Sequence, residues 1–249
     1  MTFFSVLRTI ICLAYVGFFM LCGIVLFPIE FFIRRKDEKK AMRFSVTVTN
    51  WGFRCVTALT GSKVTVKGKE NIPAGEAVLF VGNHRSYFDL IAGYYNLPFH
   101  TSIVSKAGLK KAPVIGGWMK RFKCLFIEQN SLRQGMQMIK DAQELMKNGT
   151  NILIFPEGTR NKGEGVGELH AGSLKIATKP GFKIVPVVFT NTREIFEKQF
   201  PWVKPQKVTM EFLAPIDTSG MTREEIKALP EALRKILLET FEKNNSIVI

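Results

Sequence analysis

The sequence predicts an α/β fold: a layered α/β domain around a largely parallel sheet, preceded by an N-terminal membrane-embedded helical motif. Two observations lead to this prediction. From residue 62 onward, strand-like and helical runs alternate, and several strand-like runs are continuously apolar, as expected when both faces of a strand are covered. Before them, Thr9 to Ile29 form an uncharged run rich in large apolar residues. We therefore expect an N-terminal membrane segment at residues 1–60 and an α/β domain at residues 61–249.

The N-terminal run is long enough to cross a membrane. A helix of about 20 residues spans the roughly 30 Å hydrocarbon core of a bilayer. A cleaved signal peptide is the alternative, but its apolar region is usually shorter, at about 7–15 residues. The basic residues at 34–40 follow the run, and such clusters stay on the cytoplasmic side. We therefore expect an uncleaved anchor that holds the protein at the cytoplasmic face of the cell membrane.

Residues 41–60 combine an apolar and a polar stripe at helical spacing. The apolar stripe consists of Phe44, Val48, Trp51, Cys55 and Leu59. The polar stripe consists of Arg43, Thr47, Asn50, Arg54 and Thr57. This pattern favours an amphipathic helix in the headgroup plane, although a helix packed on the domain, or a strand at the alternating residues 46–49, stays open. Whether the first helix spans the bilayer, or both helices enter one leaflet, also stays open.

The remaining chain is predicted to contain strands and helices in alternation. Strands are expected at Val64–Val66, Ala77–Gly82, Thr101–Val104, Lys123–Ile127, Asn151–Phe155, Ile184–Phe189 and Lys207–Phe212. Helices are expected at Tyr87–Tyr95, Val114–Phe122, Ser131–Lys147, Ala171–Thr178 and Arg223–Glu242. In parallel sheets of this type, ligands bind beyond the carboxyl ends of the strands.

The composition indicates a polyanionic partner but does not identify it. Lys and Arg number 35 against 21 Asp and Glu, a formal net charge of +14. Nucleic acid, an anionic bilayer or a phosphorylated substrate would each suit this excess, and the basic residues are scattered along the chain. The four cysteines lack CxxC spacing and the three histidines lie far apart, so no metal site is expected.

A His-x4-Asp pattern follows the apolar strand predicted at 77–82. An imidazole can take a proton from an alcohol at neutral pH, and a carboxylate can fix the imidazole tautomer. The step from His84 to Asp89 does not align them on one helix face. We therefore expect His84 on the turn before a helix whose first turn carries Asp89. Ser86 and Asp89 also form a capping box, which alone would explain the acid.

The segment Phe155-Pro156-Glu157-Gly158-Thr159-Arg160 follows another apolar strand. Pro and Gly favour a turn, and the planar fork of Arg160 can hold a phosphate with two hydrogen bonds. Taken alone, the hexapeptide is better explained as a strand-end turn with a solvated arginine.

Together these segments resemble the 1-acylglycerol-3-phosphate acyltransferases, within the wider glycerolipid acyltransferase family. That family has Asn-His-x4-Asp, Phe-Ile-Asp-Arg, Phe-Pro-Glu-Gly-Thr-Arg and Val-Pro-Val blocks. Here the blocks occur in the same order at residues 83–89, 126–129, 155–160 and 185–187. Further family positions are matched by Lys106, Pro113 and Gly116. The similarity covers roughly residues 60–215, and the ordered set is far more specific than any one block.

The second block departs from the family pattern. It has Glu128 in place of the usual Asp and Gln129 in place of the usual Arg, with Lys123 where Gly is usual. After the third block, Leu169-His170-Ala171-Gly172 replaces Phe-Lys-x-Gly. In the family the missing arginine is associated with glycerol-phosphate binding. Lys106 or Lys123 could compensate, although each is equally explained as a surface lysine.

The resemblance implies an acyl transfer. His84 would deprotonate the hydroxyl of a lysophospholipid acceptor, 1-acylglycerol 3-phosphate, which attacks the thioester of acyl-carrier protein or acyl-CoA to give phosphatidic acid. Asp89 would orient His84 and stabilise the imidazolium. The acceptor would be bound by Glu157, Gly158, Thr159, Arg160 and Lys106. The implied partners are these two substrates and membrane lipid, with no nucleic acid, no metal and no cofactor besides the donor.

Three other classes of function fit the sequence less well. The sequence lacks the GxSxG elbow of serine hydrolases and the GxxxxGK[ST] loop of nucleotide-dependent enzymes. A basic membrane-binding module without catalysis would explain the charge and the N-terminus but not the ordered blocks. The nearest alternative is a sibling acyltransferase that uses another lysolipid or a lyso-aminolipid as acceptor.

Overall fold

The chain begins with two long helices. The computed structural model describes residues 3–128 and 131–246. Helix α1 runs over Phe3–Lys36 and α2 over Glu38–Leu59, separated by Asp37, whose carboxylate accepts a hydrogen bond from Lys40 N at 3.0 Å and caps α2. Both predicted N-terminal helices are thus confirmed, and the strand considered at residues 46–49 is wrong because these residues lie within α2.

Helix α1 is long and apolar enough to cross a membrane. One side of it exposes large apolar side chains, including Ile10, Leu13, Leu21, Val25 and Phe32. The other side contacts the rest of the chain near both ends. Thr9 Oγ1 accepts a hydrogen bond from Val203 N at 2.8 Å, and the buried Glu30 carboxylate accepts one from Arg121 Nε at 2.6 Å. Helix α1 therefore lies along the α/β domain.

Helix α2 packs between α1 and the domain. Gly52 permits a close approach to α1, because a Cβ at this position would lie only 2.2 Å from Phe19 Cζ. Trp51 adds an aromatic contact, with its ring centroid 6.1 Å from that of Phe19. Of the predicted polar stripe, Arg43 and Arg54 are exposed, whereas Thr57 is buried. The predicted position of α2 in the headgroup plane stays a prediction, as does the domain boundary at residues 60 and 61.

In the described residues, seven strands form one sheet in the order β1-β7-β6-β2-β5-β3-β4. All neighbouring pairs are parallel except β6 and β7. The largely parallel sheet and all seven predicted strands are therefore confirmed. The strands are β1 Lys63–Lys67, β2 Leu79–Gly82, β3 Thr101–Lys106, β4 Leu125–Ile127, β5 Asn151–Ile154, β6 Ile184–Thr190 and β7 Lys207–Phe212.

Helices cover both faces of the sheet. One face packs against α5, α6 and α7, and the other against α2, α3 and the following 3₁₀ turn. After α2, the described part of the chain contains the helices α3 Phe88–Ile91, α4 Ile115–Arg121, α5 Leu132–Lys147, α6 Ala171–Thr178 and α7 Arg223–Ser246. Short 3₁₀ turns lie at Lys69–Asn71, Tyr94–Asn96, Ala107–Lys111 and Glu197–Gln199.

The helix predicted over 87–95 is shorter than expected, because α3 ends at Ile91. At Gly93 the chain approaches its neighbours closely. A Cβ there would lie 2.3 Å from Asp89 O and 2.5 Å from the Phe189 ring. A regular helix is replaced by a tight turn that brings the chain after α3 against Phe189 of β6.

Candidate active site

The His84–Asp89 pair lies at the carboxyl end of β2. Asn83 begins the turn, and its side chain exchanges hydrogen bonds with the backbone of Phe189 on β6 at 2.8 and 2.9 Å. His84 Nδ1 lies 2.8 Å from Asp89 Oδ2, and the imidazole stacks on Phe155 with 4.3 Å between ring centroids. His84 is on the turn and Asp89 is in the first turn of α3, so the expected local geometry is confirmed.

Asp89 has no exposed surface and accepts several hydrogen bonds. Its Oδ2 accepts from Arg85 N at 2.7 Å and Ser86 N at 2.8 Å, while Oδ1 accepts from Thr192 Oγ1. The carboxylate therefore caps the turn and orients the imidazole at once. Because a carboxylate accepts, Nδ1 of a neutral His84 carries the proton, which leaves Nε2 as a proton acceptor.

Glu157 holds the backbone around His84. Its Oε1 accepts a hydrogen bond from His84 N at 2.7 Å, and its Oε2 accepts one from Gly167 N at 2.9 Å. Burial raises the pKa of Glu157, and these two hydrogen bonds oppose the rise. The carbonyl of His84 accepts from Asn161 N at 2.7 Å. Glu157, expected to bind substrate, is thus placed behind the His84 turn, with both oxygens engaged by backbone N–H groups.

The rest of the third block forms the rim of the site. Gly158 has a left-handed φ of 70°, which glycine adopts without strain and which turns the chain after β5. Thr159 is exposed on an open groove that also contains Glu168 and His170. Two of the residues expected to bind the acceptor therefore line the surface next to the His84 turn.

Arg160 reaches back toward the first block. Its Nη2 donates a hydrogen bond to Tyr87 Oη at 3.0 Å, and its guanidinium carbon lies 3.7 Å from the centroid of the Tyr87 ring. Its Nη1 is 3.3 Å from Glu197 Oε1. A cation is therefore fixed beside the turn that carries His84. Neither Glu197 nor Thr192 was found by sequence reasoning, because both lie in the connection between β6 and β7, which has no motif.

The two lysines considered as compensating cations lie at opposite ends of the parallel strands. Lys106 ends β3 and is exposed at the carboxyl edge, with β5 between its strand and β2. Lys123 precedes β4 at the amino edge, where its Nζ is 3.0 Å from Glu38 Oε1. The suggestion that Lys123 compensates at the site is therefore wrong. Gln129, the departure that raised the question, lies outside the described residues.

The chain matches one protein-family model, described as Acyltransferase, over residues 63–190. The match contains His84, Asp89 and the turn that ends in Arg160. The chain belongs to this acyltransferase family. The resemblance drawn from the ordered blocks and the predicted class of enzyme, an O-acyltransferase, are thereby confirmed.

Individual relatives of this acyltransferase are similar over most of its length. It is 29% identical over 201 residues to the 1-acyl-sn-glycerol-3-phosphate acyltransferase of Borreliella burgdorferi, covering 81% of this chain and 78% of that protein. It is 25% identical over 187 residues to 1-acyl-sn-glycerol-3-phosphate acyltransferase alpha of Mus musculus, covering 74% and 66%. The crystal structure of the 1-acyl-sn-glycerophosphate acyltransferase PlsC from Thermotoga maritima aligns with a TM-score of 0.79 and 26% identity, over 96% and 95% of the two chains. The predicted fold class is confirmed by this likeness.

Proposed function

We propose that this acyltransferase moves a fatty acyl chain from acyl-carrier protein or acyl-CoA to the free hydroxyl of 1-acylglycerol 3-phosphate, giving phosphatidic acid. The observation that carries the proposal is the 2.8 Å contact between His84 Nδ1 and Asp89 Oδ2 beside a fixed arginine. The names of the relatives support the same acceptor.

The reaction uses His84 as a general base. Its Nε2 takes the proton of the acceptor hydroxyl as the oxygen attacks the thioester carbonyl. Asp89 stabilises the imidazolium that forms, because its carboxylate accepts from Nδ1–H. The tetrahedral intermediate collapses by breaking the C–S bond, and the imidazolium returns its proton to the departing thiolate. No covalent acyl-enzyme is required, because a thioester is already activated.

Arg160 and Lys106 supply the positive charge for the acceptor phosphate. A phosphate monoester carries close to two negative charges at neutral pH, and arginine can bind it with two hydrogen bonds. Arg160 is adjacent to Tyr87 of the first block, so a phosphate on Arg160 would hold the glycerol near His84. Lys106 occupies the same edge of the sheet, two strands from β2. Thr159 and Gly158 would shape the rim between them.

The acceptor would reach the site from the membrane. Cys12 of α1 belongs to the same apolar cluster as Phe88, the residue before Asp89, and Val203. Helix α1, which has the exposed apolar side, therefore shares a buried apolar cluster with the active-site helix α3. Burying that side in lipid would hold the His84 turn at the cytoplasmic surface of the bilayer, where the lysophospholipid acceptor is found.

A substrate panel tests the proposal. The purified enzyme is incubated with 1-acylglycerol 3-phosphate, other lysolipids and a lyso-aminolipid, each with acyl-carrier-protein and CoA thioesters, and products are identified by mass. We expect phosphatidic acid from 1-acylglycerol 3-phosphate. Acylation of another lysolipid in its place would favour the sibling acyltransferase. Absence of any product would favour a membrane-binding module without catalysis.

Replacing the base tests the mechanism. His84→Ala should lower kcat by about 10²–10⁴, because a positioned general base contributes roughly that factor. The matched control is His100→Asn, at the amino end of β3 and away from the site. His100 has a left-handed φ of 64°, which Asn tolerates, so this variant should fold and keep its activity. A folded His84→Ala enzyme with near-normal kcat would remove His84 from the mechanism.

A further inference from the structure

Glu197 connects the two polar turns of the active site. It begins the 3₁₀ turn between β6 and β7, outside residues 63–190, which match the family model. Its side chain is 17% exposed. Its Oε2 accepts a hydrogen bond from Ser86 Oγ at 2.7 Å, and its Oε1 accepts from Tyr87 N at 2.8 Å and lies 3.3 Å from Arg160 Nη1. One carboxylate thus contacts both the His84 turn and the arginine that ends the third block.

The contacts of Arg160 leave donors for a ligand. A guanidinium has five N–H groups. In the described part of the chain, Glu197 and Tyr87 engage one nitrogen each. The Tyr87 ring covers one face of the guanidinium, 3.7 Å from its carbon. The Glu197 carboxylate and the Tyr87 side chain therefore fix the orientation of Arg160, while other N–H groups of its guanidinium stay available to bind an anion.

We propose that Glu197 is a positioning residue that orients Arg160 for the phosphate of the acceptor, and that it thereby favours phosphorylated over uncharged lysolipids. This inference rests on the proposed function. A freely rotating arginine loses side-chain freedom when it binds phosphate, whereas an arginine already held by a carboxylate and an aromatic ring loses less. Holding Arg160 in advance therefore strengthens phosphate binding.

The negative charge of Glu197 also repels the phosphate, and this repulsion opposes the orienting effect of Glu197 on phosphate binding. A phosphate bound to the guanidinium edge away from Glu197 would lie roughly 6 Å or more from this carboxylate, given hydrogen bonds of about 2.8 Å on each side. Arg160 is 33% exposed, so water and salt weaken the repulsion. We therefore expect the orienting effect to exceed the repulsion.

A purely structural role predicts a different result. If Glu197 only fastened Ser86 and Tyr87, its loss would loosen the His84 turn for every acceptor. A positioning role acts through Arg160, so it affects the binding of phosphorylated acceptors alone. Acceptor affinity measured without a donor distinguishes the two, because it needs no turnover.

The experiment is a double-mutant cycle with Glu197→Gln and Arg160→Ala in the full-length enzyme. Radiolabelled 1-acylglycerol 3-phosphate and monoacylglycerol are partitioned between enzyme-containing and empty detergent micelles, which gives a Kd for each. Glu197→Gln should weaken binding of the phosphorylated acceptor about three- to tenfold and leave the monoacylglycerol Kd unchanged. With Arg160→Ala present, Glu197→Gln should have no further effect.

The matched control is Glu194→Gln, which makes the same change in charge on the same connection. Glu194 pairs with Lys198, at 2.9 Å, and should leave both Kd values unchanged. Equal weakening for both lipids, an effect that persists with Arg160→Ala, or tighter binding of the phosphorylated lipid would overturn the inference. Wild-type enzyme that makes phosphatidic acid but shows one of these results refutes the inference alone. Wild-type enzyme that makes none refutes the proposed function, and the inference with it.

Discussion

Asp89 collects its hydrogen bonds from two distant parts of the chain. His84, Arg85 and Ser86 donate from within five residues, whereas Thr192 donates from 103 residues away. The local contacts follow from the spacing of the first block, and so they could be predicted from the sequence. The contact with Thr192 depends on the pairing of β2 with β6, which local patterns do not encode.

The same distinction explains which site residues were found. Arg160 was assigned to the site through the resemblance of the third block to the family, but its partner Glu197 was not found, because Glu197 reaches Ser86 across 111 residues from a connection without a motif. Glu157 was expected to bind substrate, and the structure places it beside the His84 turn. Only the fold reveals that its oxygens are engaged by His84 N and Gly167 N.

Glu157 gives a prediction about pH. Burial raises its pKa in the folded protein above the value in the unfolded chain, so the folded state holds the proton to higher pH. Its stabilising contribution is then fully present below the unfolded pKa, near 4.5, and is lost as pH rises through the folded pKa. The Tm of wild type minus the Tm of Glu157→Gln should therefore fall as pH rises from about 4.5 toward 7.

Thermal unfolding of both proteins across this pH range measures the difference. Asp217→Asn is the matched control, because Asp217 is an exposed acid whose pKa is lowered by hydrogen bonds from Ser219. The difference between wild type and this variant should stay constant between pH 4.5 and 7, because the stabilisation by Asp217 is lost only as pH falls below 3.8, through its lowered pKa. A Glu157→Gln difference that grows with pH would contradict a raised pKa.

At the scale of elements, the strands were predicted better than their arrangement. Continuous apolar runs marked several of them, since the central strands are buried on both faces. The place of β1 beside β7 depends on contacts between residues more than 140 positions apart, such as Lys63 and Lys207. The antiparallel direction of β7 depends on its pairing with β6, as between Val187 and Phe212. Hydrophobic periodicity contains no information about such pairings.

The segment between the third block and α6 is an element without regular structure that arginines hold in place. The buried Arg85 donates to the carbonyls of Gly163 and Gly165, and its guanidinium lies 4.9 Å from the centroid of the Phe241 ring of α7. Arg234 donates to the carbonyl of Gly167 from a more exposed position. Arg85 therefore has a structural role in holding this segment, although it adjoins His84 in the first block.

Arg85→Lys should therefore lower stability. A lysine retains the charge but cannot bind two carbonyls with a planar fork, so at least one hydrogen bond from a charged donor to the carbonyls of Gly163 and Gly165 is lost, at a cost of about 1–3 kcal/mol. For a chain of this size that corresponds to a fall in Tm of roughly 2–12 °C, measured by thermal unfolding. Arg234→Lys is the control on the same segment and should cost less, since its side chain is 32% exposed. An unchanged Tm with a raised acceptor KM would instead make Arg85 a substrate ligand.

At the scale of the whole molecule, the two ends of α1 constrain how the protein meets a membrane. Thr9 contacts Val203 and Glu30 contacts Arg121, so two points about 31 Å apart along the helix touch one folded domain. That length equals the thickness of the hydrocarbon core. If α1 crossed the bilayer, Val203 and Arg121 would lie on opposite sides of it. The contacts can persist only if α1 lies along the surface, with its exposed apolar side in one leaflet.

This geometry predicts that both termini stay on the same side of the membrane. Different epitope tags are placed before Met1 and after Ile249, and the protein is bound to preformed sealed vesicles of anionic and zwitterionic lipid. Protease added outside should remove both tags to the same extent. High salt should not release the protein, because burial of the apolar side of α1 is little affected by screening.

The control is Val25→Asp, which places a charge on the apolar side of α1. Val25 is 67% exposed, so the substitution does not disturb the core. A charge in the hydrocarbon region is costly, so this variant should be released by salt while its Tm in detergent stays close to that of wild type. Protection of the N-terminal tag in sealed vesicles, with its cleavage only after detergent is added, would show that α1 crosses the bilayer. The contacts of Thr9 and Glu30 with the domain could then not coexist in the membrane.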